Sequence, residues 1–428
     1  MKTAIFTICS RNYLAYALTL GKSVKAAEPG TPFFIYLADD LPEAVNTQDA
    51  TIVPVRDLAL EDLLDMAFRY TVMEFNTAIK ADCFLDLLTR RGFDAAIYLD
   101  PDIQVYAPLT EVHAALEAGV SAVLTPHVLG PLPKGTYPDE REVLKSGTFN
   151  LGFGAFAGTA ESLEFILWWR RKLHVECYSA PEKNLFVDQR FVDFAPCFIE
   201  QISILRHPGY NVAYWNLARR RLEQADGGVQ VNGARLVFFH FSGVRPGQPE
   251  VFSKHLGGRG GDPGDLALSL VADYLGELDA AGHAQWATAT YAYGRFRDGS
   301  PILPPMRRQP PSAGSPDDWF GAPDYDWWNA PDPTIDQGKG MVITRLMSGF
   351  YSMRPDLQVA YPLTLAAGRR GFHSWFCRHG AREYQIPDKF LDSGTIGTVG
   401  LLHRYLEPSL RRIRARMGGG NHDRKRGA

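Results

Sequence analysis

"AAIYLDPDIQVY", residues 95 to 106, is the stretch on which the fold turns. An apolar run from Ala95 to Leu99 stops at Asp100-Pro101-Asp102, and apolar residues then resume. A short apolar run bounded by such a turn reads as a buried strand. Two carboxylates placed this close repel each other unless a cation neutralises them. The stretch is therefore either a solvated strand end, where Asp-Pro is common, or a site for a hard metal ion. Oxygen ligands suit Mg2+ or Mn2+, and such ions usually also hold substrate phosphates.

Outward from this stretch, strand-like segments at 4–9, 32–37, 51–55 and 121–125 alternate with helix-like segments at 13–27, 75–91 and 108–118. In 75–91 the apolar residues Ile79, Cys83 and Leu87 recur at helical spacing. Such alternation implies an α/β fold, a mainly parallel sheet flanked by helices. Ligands bind such sheets beyond the carboxyl ends of the strands, and Asp100 and Asp102 stand at one of those ends. A strand at 151–156, a helix at 161–173 and a strand at 236–241 complete a first domain, 1–256.

"GGRGGDPGD" (257–265) breaks the pattern and opens a helical extension, 257–300, with an amphipathic helix at 266–281. Residues 301–333 are dense in Pro, Ser, Asp and Gly and read as an extended connector. A small, mainly helical region follows at 334–406, with Trp375 and Phe376 available to pack. The last segment, 407–428, is a basic tail carrying Arg411, Arg412, Arg414 and Arg416. Beside Leu410, Ile413 and Met417 at helical spacing, those arginines suit peripheral contact with an anionic membrane face.

The chain has 428 residues, enough for two or three domains. A net charge of −3 gives no electrostatic reason to expect nucleic acid as a partner. Cys9, Cys83, Cys177, Cys197 and Cys377 are odd in number and never form a CxxC pair, which argues for a reducing compartment and against structural zinc. The first apolar stretch is too short for an export signal and runs directly into Ser10, Arg11 and Asn12. No run of apolar residues is long enough to span a membrane, so a cytoplasmic location is expected.

Four further stretches carry chemistry-bearing residues. In "LVFFHFSGVRPG", His240 ends a strand before a Ser242-Gly243 turn. Most such histidines are hydrogen-bonded core residues, yet one imidazole with two carboxylates suits Mn2+ well. Arg245 and Lys254 follow as phosphate contacts. In "GTFNLGFGAF", Gly147, Gly152 and Gly154 allow tight packing, or Asn150 aims its amide into the crevice toward sugar hydroxyls. In "FVDQRF", Asp188-Gln189 start a helix or orient a sugar's reacting carbon. In "LRHPGYNVAYWNLARR", Tyr210, Tyr214 and Trp215 are core residues or, interleaved with Asn211, a carbohydrate-stacking face.

Taken in chain order, these motifs resemble the metal-dependent GT-A glycosyltransferases, particularly the glycogenin-like family 8 branch found among bacterial polysaccharide-type enzymes. Lys80 precedes "YLDPD" (98–102), followed by "FNLG" (149–152), "DQ" (188–189), "YN" (210–211) and "HFSG" (240–243). The resemblance covers roughly residues 1 to 255. It departs at Arg190, where the family carries a third acidic residue, and at "RPGQP", where the family has "KPW".

The resemblance implies a Rossmann-like GT-A domain and a nucleotide-sugar-dependent glycosyltransferase that retains anomeric configuration. It implies Asp100, Asp102 and His240 as ligands of Mn2+ (or Mg2+), with Asp100 also at the ribose. Thr7, Ile8, Cys9 and Ser10 would contact the nucleoside, and Lys80 with Arg245, Lys254 and Gly243 the phosphates. Asn150, Asp188 and Gln189 would grip the donor sugar, and Tyr210, Asn211, Tyr214 and Trp215 would face a carbohydrate or lipid-linked acceptor. Two alternatives stand beside it. One is a carbohydrate-binding scaffold on an inactive fold. The other is a haloacid-dehalogenase-like phosphatase, whose Asp-x-Asp follows the first strand and precedes a Thr or Val where this chain has Gln104.

Overall fold

Nine strands organise the first part of the computed structural model: β1 (Thr3–Cys9), β2 (Phe33–Leu37), β3 (Thr51–Pro54), β4 (Ala95–Leu99), β5 (Ile103–Val105), β6 (Ala122–Pro126), β7 (Phe149–Ala157), β8 (Ile202–Ile204) and β9 (Phe238–His240). The structure describes residues 1–40, 45, 50–311, 314–337 and 342–391. The basic tail and its expected membrane contact lie outside them. Seven strands form one sheet in the order β8-β6-β7-β4-β1-β2-β3. β1 pairs parallel with β2 and β4, β2 with β3, and β8 with β6. Only β7 runs against its neighbours β4 and β6. The sheet is mainly parallel, as the alternation predicts.

β2, β4 and β7 are buried at every position. Burial on both faces is what helices packed against a mostly parallel sheet impose. On one face, α1 (Leu14–Ala27) packs Leu14, Ala17, Leu20 and Val24 with Ile5, Ile35 and Ile97. The strand order reverses at β1: the chain steps outward through β2 and β3, then returns to the other side of β1 at β4. A crevice opens at such a reversal, outside the carboxyl ends of the two central strands. Ser10 and Asp100 are the first residues beyond those ends.

A separate two-stranded ribbon pairs β5 with β9, placing His240 opposite Ile103. That register brings the imidazole to Asp102, although the two residues are far apart in sequence.

Two compact units divide the chain, Met1–Gly294 and Arg295–Ala428. The first continues past residue 256, where the sequence reading ends its first domain. The helix Asp265–Ala280 buries Tyr274, which stacks on Phe241 with ring centroids 4.1 Å apart. Asp39, beyond β2, accepts hydrogen bonds from the backbone of both Arg11 and Ala292.

In the second unit the expected extended connector is corrected. Residues 301–333 contain three short helices, Pro304–Arg308, Pro316–Trp319 and Tyr325–Asn329. Proline starts two of them, at a position where its missing N–H costs nothing. Ser315 and Asp318 form a reciprocal capping box on the second. The unit is mainly helical; Phe350 of Arg345–Ser352 is buried and stacks on Tyr384 at 4.2 Å. No helix among the described residues is long and apolar enough to cross a membrane.

Candidate active site

Beyond the carboxyl ends of β1 and β4 lies a cleft of about 690 Å3. The backbone N–H of Asp100 donates to the carbonyl of Gly152 on β7 (2.8 Å), which fixes where its side chain leaves the sheet. Tyr98 OH donates to Asp100 Oδ1 at 2.6 Å. His240 Nε2 lies 3.0 Å from Asp102 Oδ1 and 3.6 Å from Asp100 Oδ2. One donor atom from each of Asp100, Asp102 and His240 lies within 4.8 Å of the others. Donors each about 2.0–2.6 Å from a shared hard cation are spaced on that scale.

Glycine is required where this imidazole sits. A Cβ on Gly152 would stand 2.4 Å from His240 Cε1 and 2.7 Å from its Nδ1. Gly243, three residues past His240, has φ +80°, and a Cβ there would meet Ser253 Oγ at 2.5 Å. His240 Nδ1 is buried with no hydrogen-bond partner among the described residues.

Burial pushes the Asp100 carboxyl up, and Lys80 and His240 offset that only in part. Asp102 is half-buried, which also acts to raise its carboxyl, but the charge and hydrogen bond of His240 prevail and hold it below the usual carboxylate range. Burial disfavours the His240 imidazolium; Asp102 and Asp100 outweigh this, so its pKa is raised.

Lys80 is the buried counter-charge of the site. Its Nζ pairs with Asp188 Oδ2 at 2.5 Å, donates to the carbonyl of Leu151 at 2.9 Å and lies 4.0 Å above the Tyr98 ring. Burial raises the Asp188 carboxyl, and Lys80 opposes the rise. Asp188 is held from behind, since Trp169 Nε1 donates to its carbonyl (3.0 Å). Val187 just before it has φ +44°, a strained backbone for a β-branched residue of the kind that collects at working sites. Asp100, Asp102 and Asp188 facing Lys80 leave two negative charges when His240 is neutral. A divalent cation matches that charge, and two carboxylates with one imidazole are a donor set that Mn2+ or Mg2+ accepts.

The residues singled out in the sequence fall into two groups. Ile8, Cys9, Ser10, Lys80, Asp100, Asp102, Asn150, Asp188, Gln189, Tyr214, Trp215, His240 and Lys254 line the cleft. Thr7, Tyr210, Asn211, Gly243 and Arg245 do not. Thr7 is wholly buried inside β1. Tyr210 belongs to the core, and its OH donates to Glu111 (2.7 Å), so it is no stacking face. Asn211 is buried and donates to Asn150 Oδ1 and Thr125 Oγ1, both at 3.1 Å. Gly243 packs under Ser253 and His255, and Arg245 is exposed.

Within the first group the polar side chains brace one another. Gln189 Oε1 accepts from the Leu151 N–H (2.8 Å) while its Nε2 donates to the Ser146 carbonyl (2.7 Å). Asn150 Oδ1 also accepts from the Gly152 N–H at 3.2 Å.

Sequence reading missed His127 and His255. His127 follows β6, another strand ending at the crevice, and packs edge-on against Trp215, which in turn packs edge-on against His240. The strand-end rule that singled out Asp100 applies equally there. Burial lowers His127 to about 4, so it is neutral. His255 stacks on Tyr214, with centroids 5.7 Å apart.

No family model matches the chain. It is 25% identical over 255 residues to the uncharacterized protein YfnF of Bacillus subtilis (strain 168), covering 57% of this chain and 82% of that one. It is 26% identical over 247 residues to the uncharacterized protein YfnD of the same organism, covering 55% and 76%. Among solved structures, the galactosyltransferase LgtC, in complex with donor and acceptor sugar analogs, shares a TM-score of 0.39 at 15% identity over 64% of this chain and 95% of that one. The apo structure of the bifunctional WbbM gives 0.34 at 15% identity over 50% and 40%, and GlyE of Streptococcus pneumoniae TIGR4 gives 0.32 at 18% over 49% and 47%.

Proposed function

We propose that this chain is a metal-dependent glycosyltransferase, moving a sugar from a UDP-sugar to a carbohydrate or lipid-linked acceptor with retention of anomeric configuration. The observation that carries the reading is the convergence of Asp100, Asp102 and His240 at the crevice where the strand order reverses. The order of motifs around them supports it.

Asp100, Asp102 and His240 would hold Mn2+ or Mg2+. Bound there, the ion supplies Lewis-acid stabilisation of charge developing on the departing diphosphate. The chain's own residues do the rest. Ile8, Cys9 and Ser10 receive the nucleoside at the end of β1. Lys254, with Arg245 at the rim, meets the phosphate oxygens. Lys80 stays on Asp188, where its charge opposes the rise that burial imposes on that carboxyl, so its part in phosphate binding is through field rather than contact. Gln189 ties the segments carrying Asp188 and Asn150 together, which keeps the sugar-facing carboxylate and amide in register. Trp215 and Tyr214 offer the aromatic wall on the acceptor side.

A screen of nucleotide sugars for slow hydrolysis tests this reading. It predicts turnover of a UDP-sugar with Mn2+ and none with EDTA. A chain that binds glycans yet hydrolyses no nucleotide sugar is instead a scaffold. The basic segment 407–428 would hold the enzyme at an anionic membrane surface. Salt-sensitive co-sedimentation with anionic vesicles, lost on deleting that segment, is expected; binding unchanged by the deletion refutes the contact.

A further inference from the structure

A second cavity of about 590 Å3 is lined by Val128, Asn216, Arg219, Arg220, Arg221 and Asn232 among others. His127 and Trp215 face the cleft, and their chain neighbours Val128 and Asn216 face the cavity. Asn216 Nδ2 donates to the His127 carbonyl at 3.1 Å.

Three consecutive arginines line this cavity, and no carboxylate does among the described residues. Arg220 is buried, with 5% of its surface exposed. Its Nη1 donates to the Tyr210 carbonyl at 2.6 Å, and no carboxylate pairs with it among the described residues. Burial alone lowers its pKa to about 9, which still leaves it charged at neutral pH. A buried cation without a counter-ion is expensive to keep.

Arg219 is exposed and lies along the Val128–Gly130 edge, its Nη2 3.1 Å from where a Cβ on Gly130 would stand. Arg221 reaches Glu223 at the surface (2.8 Å). Asn232 holds the backbone on either side of Arg220, donating to the Arg219 carbonyl (2.9 Å) and accepting from the Arg221 N–H (2.8 Å). The run is thus fixed in place before any ligand arrives. The chain as a whole is slightly acidic, so this local excess of positive charge has no origin in composition.

We propose that this cavity is a phosphate-binding subsite, separate from the cleft, that receives a phosphate ester carried by the acceptor. Guanidinium groups offer planar, paired donors that match phosphate oxygens, and Arg220 gains there the counter-charge it lacks. The identity of the carrier rests on the glycosyl-transfer reading; the anion site itself does not.

Calorimetric titration of the full chain with inorganic phosphate and with glucose 1-phosphate, both in EDTA, tests the proposal. Saturable binding is expected, tighter for the sugar phosphate. It should weaken at least about tenfold in Arg219→Gln and in Arg220→Gln and be unchanged in Lys254→Gln. Arg219 is exposed, so its substitution does not endanger the fold. Absence of phosphate binding, equal binding by Arg219→Gln, or loss in Lys254→Gln, which would put the anion in the cleft, overturns the site. Sugar phosphate binding no tighter than inorganic phosphate overturns the acceptor as carrier. None of these readouts needs UDP or transfer, so failure of the glycosyl-transfer reading would be seen separately.

Discussion

A methyl group added at Gly152 would stand 2.4 Å from His240 Cε1, so Gly152→Ala must push the imidazole off Asp102. Mn2+ affinity should fall about 10–100-fold, the usual result when a ligand loses its support. Gly154→Ala, on the same strand, meets nothing closer than 3.6 Å and should leave Mn2+ binding unchanged. Titration of Mn2+ followed by electron paramagnetic resonance separates the two; equal affinities in both variants would remove His240 from the ligand set. Lys80 makes a second residue-scale prediction. Lys80→Met leaves Asp188 buried and unpaired, which should cost about 3–5 kcal/mol of stability by denaturant unfolding. Lys80→Met with Asp188→Leu should recover most of it. If the double variant is no more stable than Lys80→Met, the pair is not a closed unit. Lys80 and Asp188 were each singled out in the sequence, but their pairing was not. Asp188 lies far along the chain, and no local spacing reports a contact that only the sheet creates.

His174, near the end of the helix Ala160–Glu176, shows the same at the scale of elements. Its Nδ1 lies 2.8 Å from Asp62 and its Nε2 2.8 Å from Asp82, so three segments meet on one ring. Burial disfavours the imidazolium, but the two carboxylates prevail and raise its pKa from 6.5 to about 9. A pKa raised by folding stabilises the native state fully below the unfolded value. That contribution is lost as pH climbs through the folded value. Thermal stability should therefore decline between pH 6.5 and about 9, and the decline should be smaller in His174→Gln. An identical pH profile in the variant would contradict the clamp. The elements themselves were largely readable. β4 matches the predicted span, because a strand buried on both faces reads as an unbroken apolar run with sharp ends. Residues 301–333 were not, since a Pro-rich composition hides helices that prolines themselves begin.

For the whole molecule, the sequence shows that ligands belong at the carboxyl edge of a parallel sheet, and the strand order specifies where along that edge. Asp100 and Asp102 were visible as a pair because only Pro101 separates them. His240 was visible as a strand-end residue, but its meeting with Asp102 depends on the antiparallel register of β5 with β9, which no local pattern encodes. The arginine cavity was invisible for the same reason, its lining coming from three separate segments, 128–129, 216–221 and residue 232.

On the proposed function, Asp100, Asp102 and His240 bind a divalent cation together with a nucleotide diphosphate. Calorimetric titration with UDP, once with Mn2+ and once with EDTA, tests it most directly. Binding at least about tenfold weaker in EDTA is expected, with the same loss in Asp102→Asn when Mn2+ is present. Equal affinity for UDP in Mn2+ and in EDTA would contradict it.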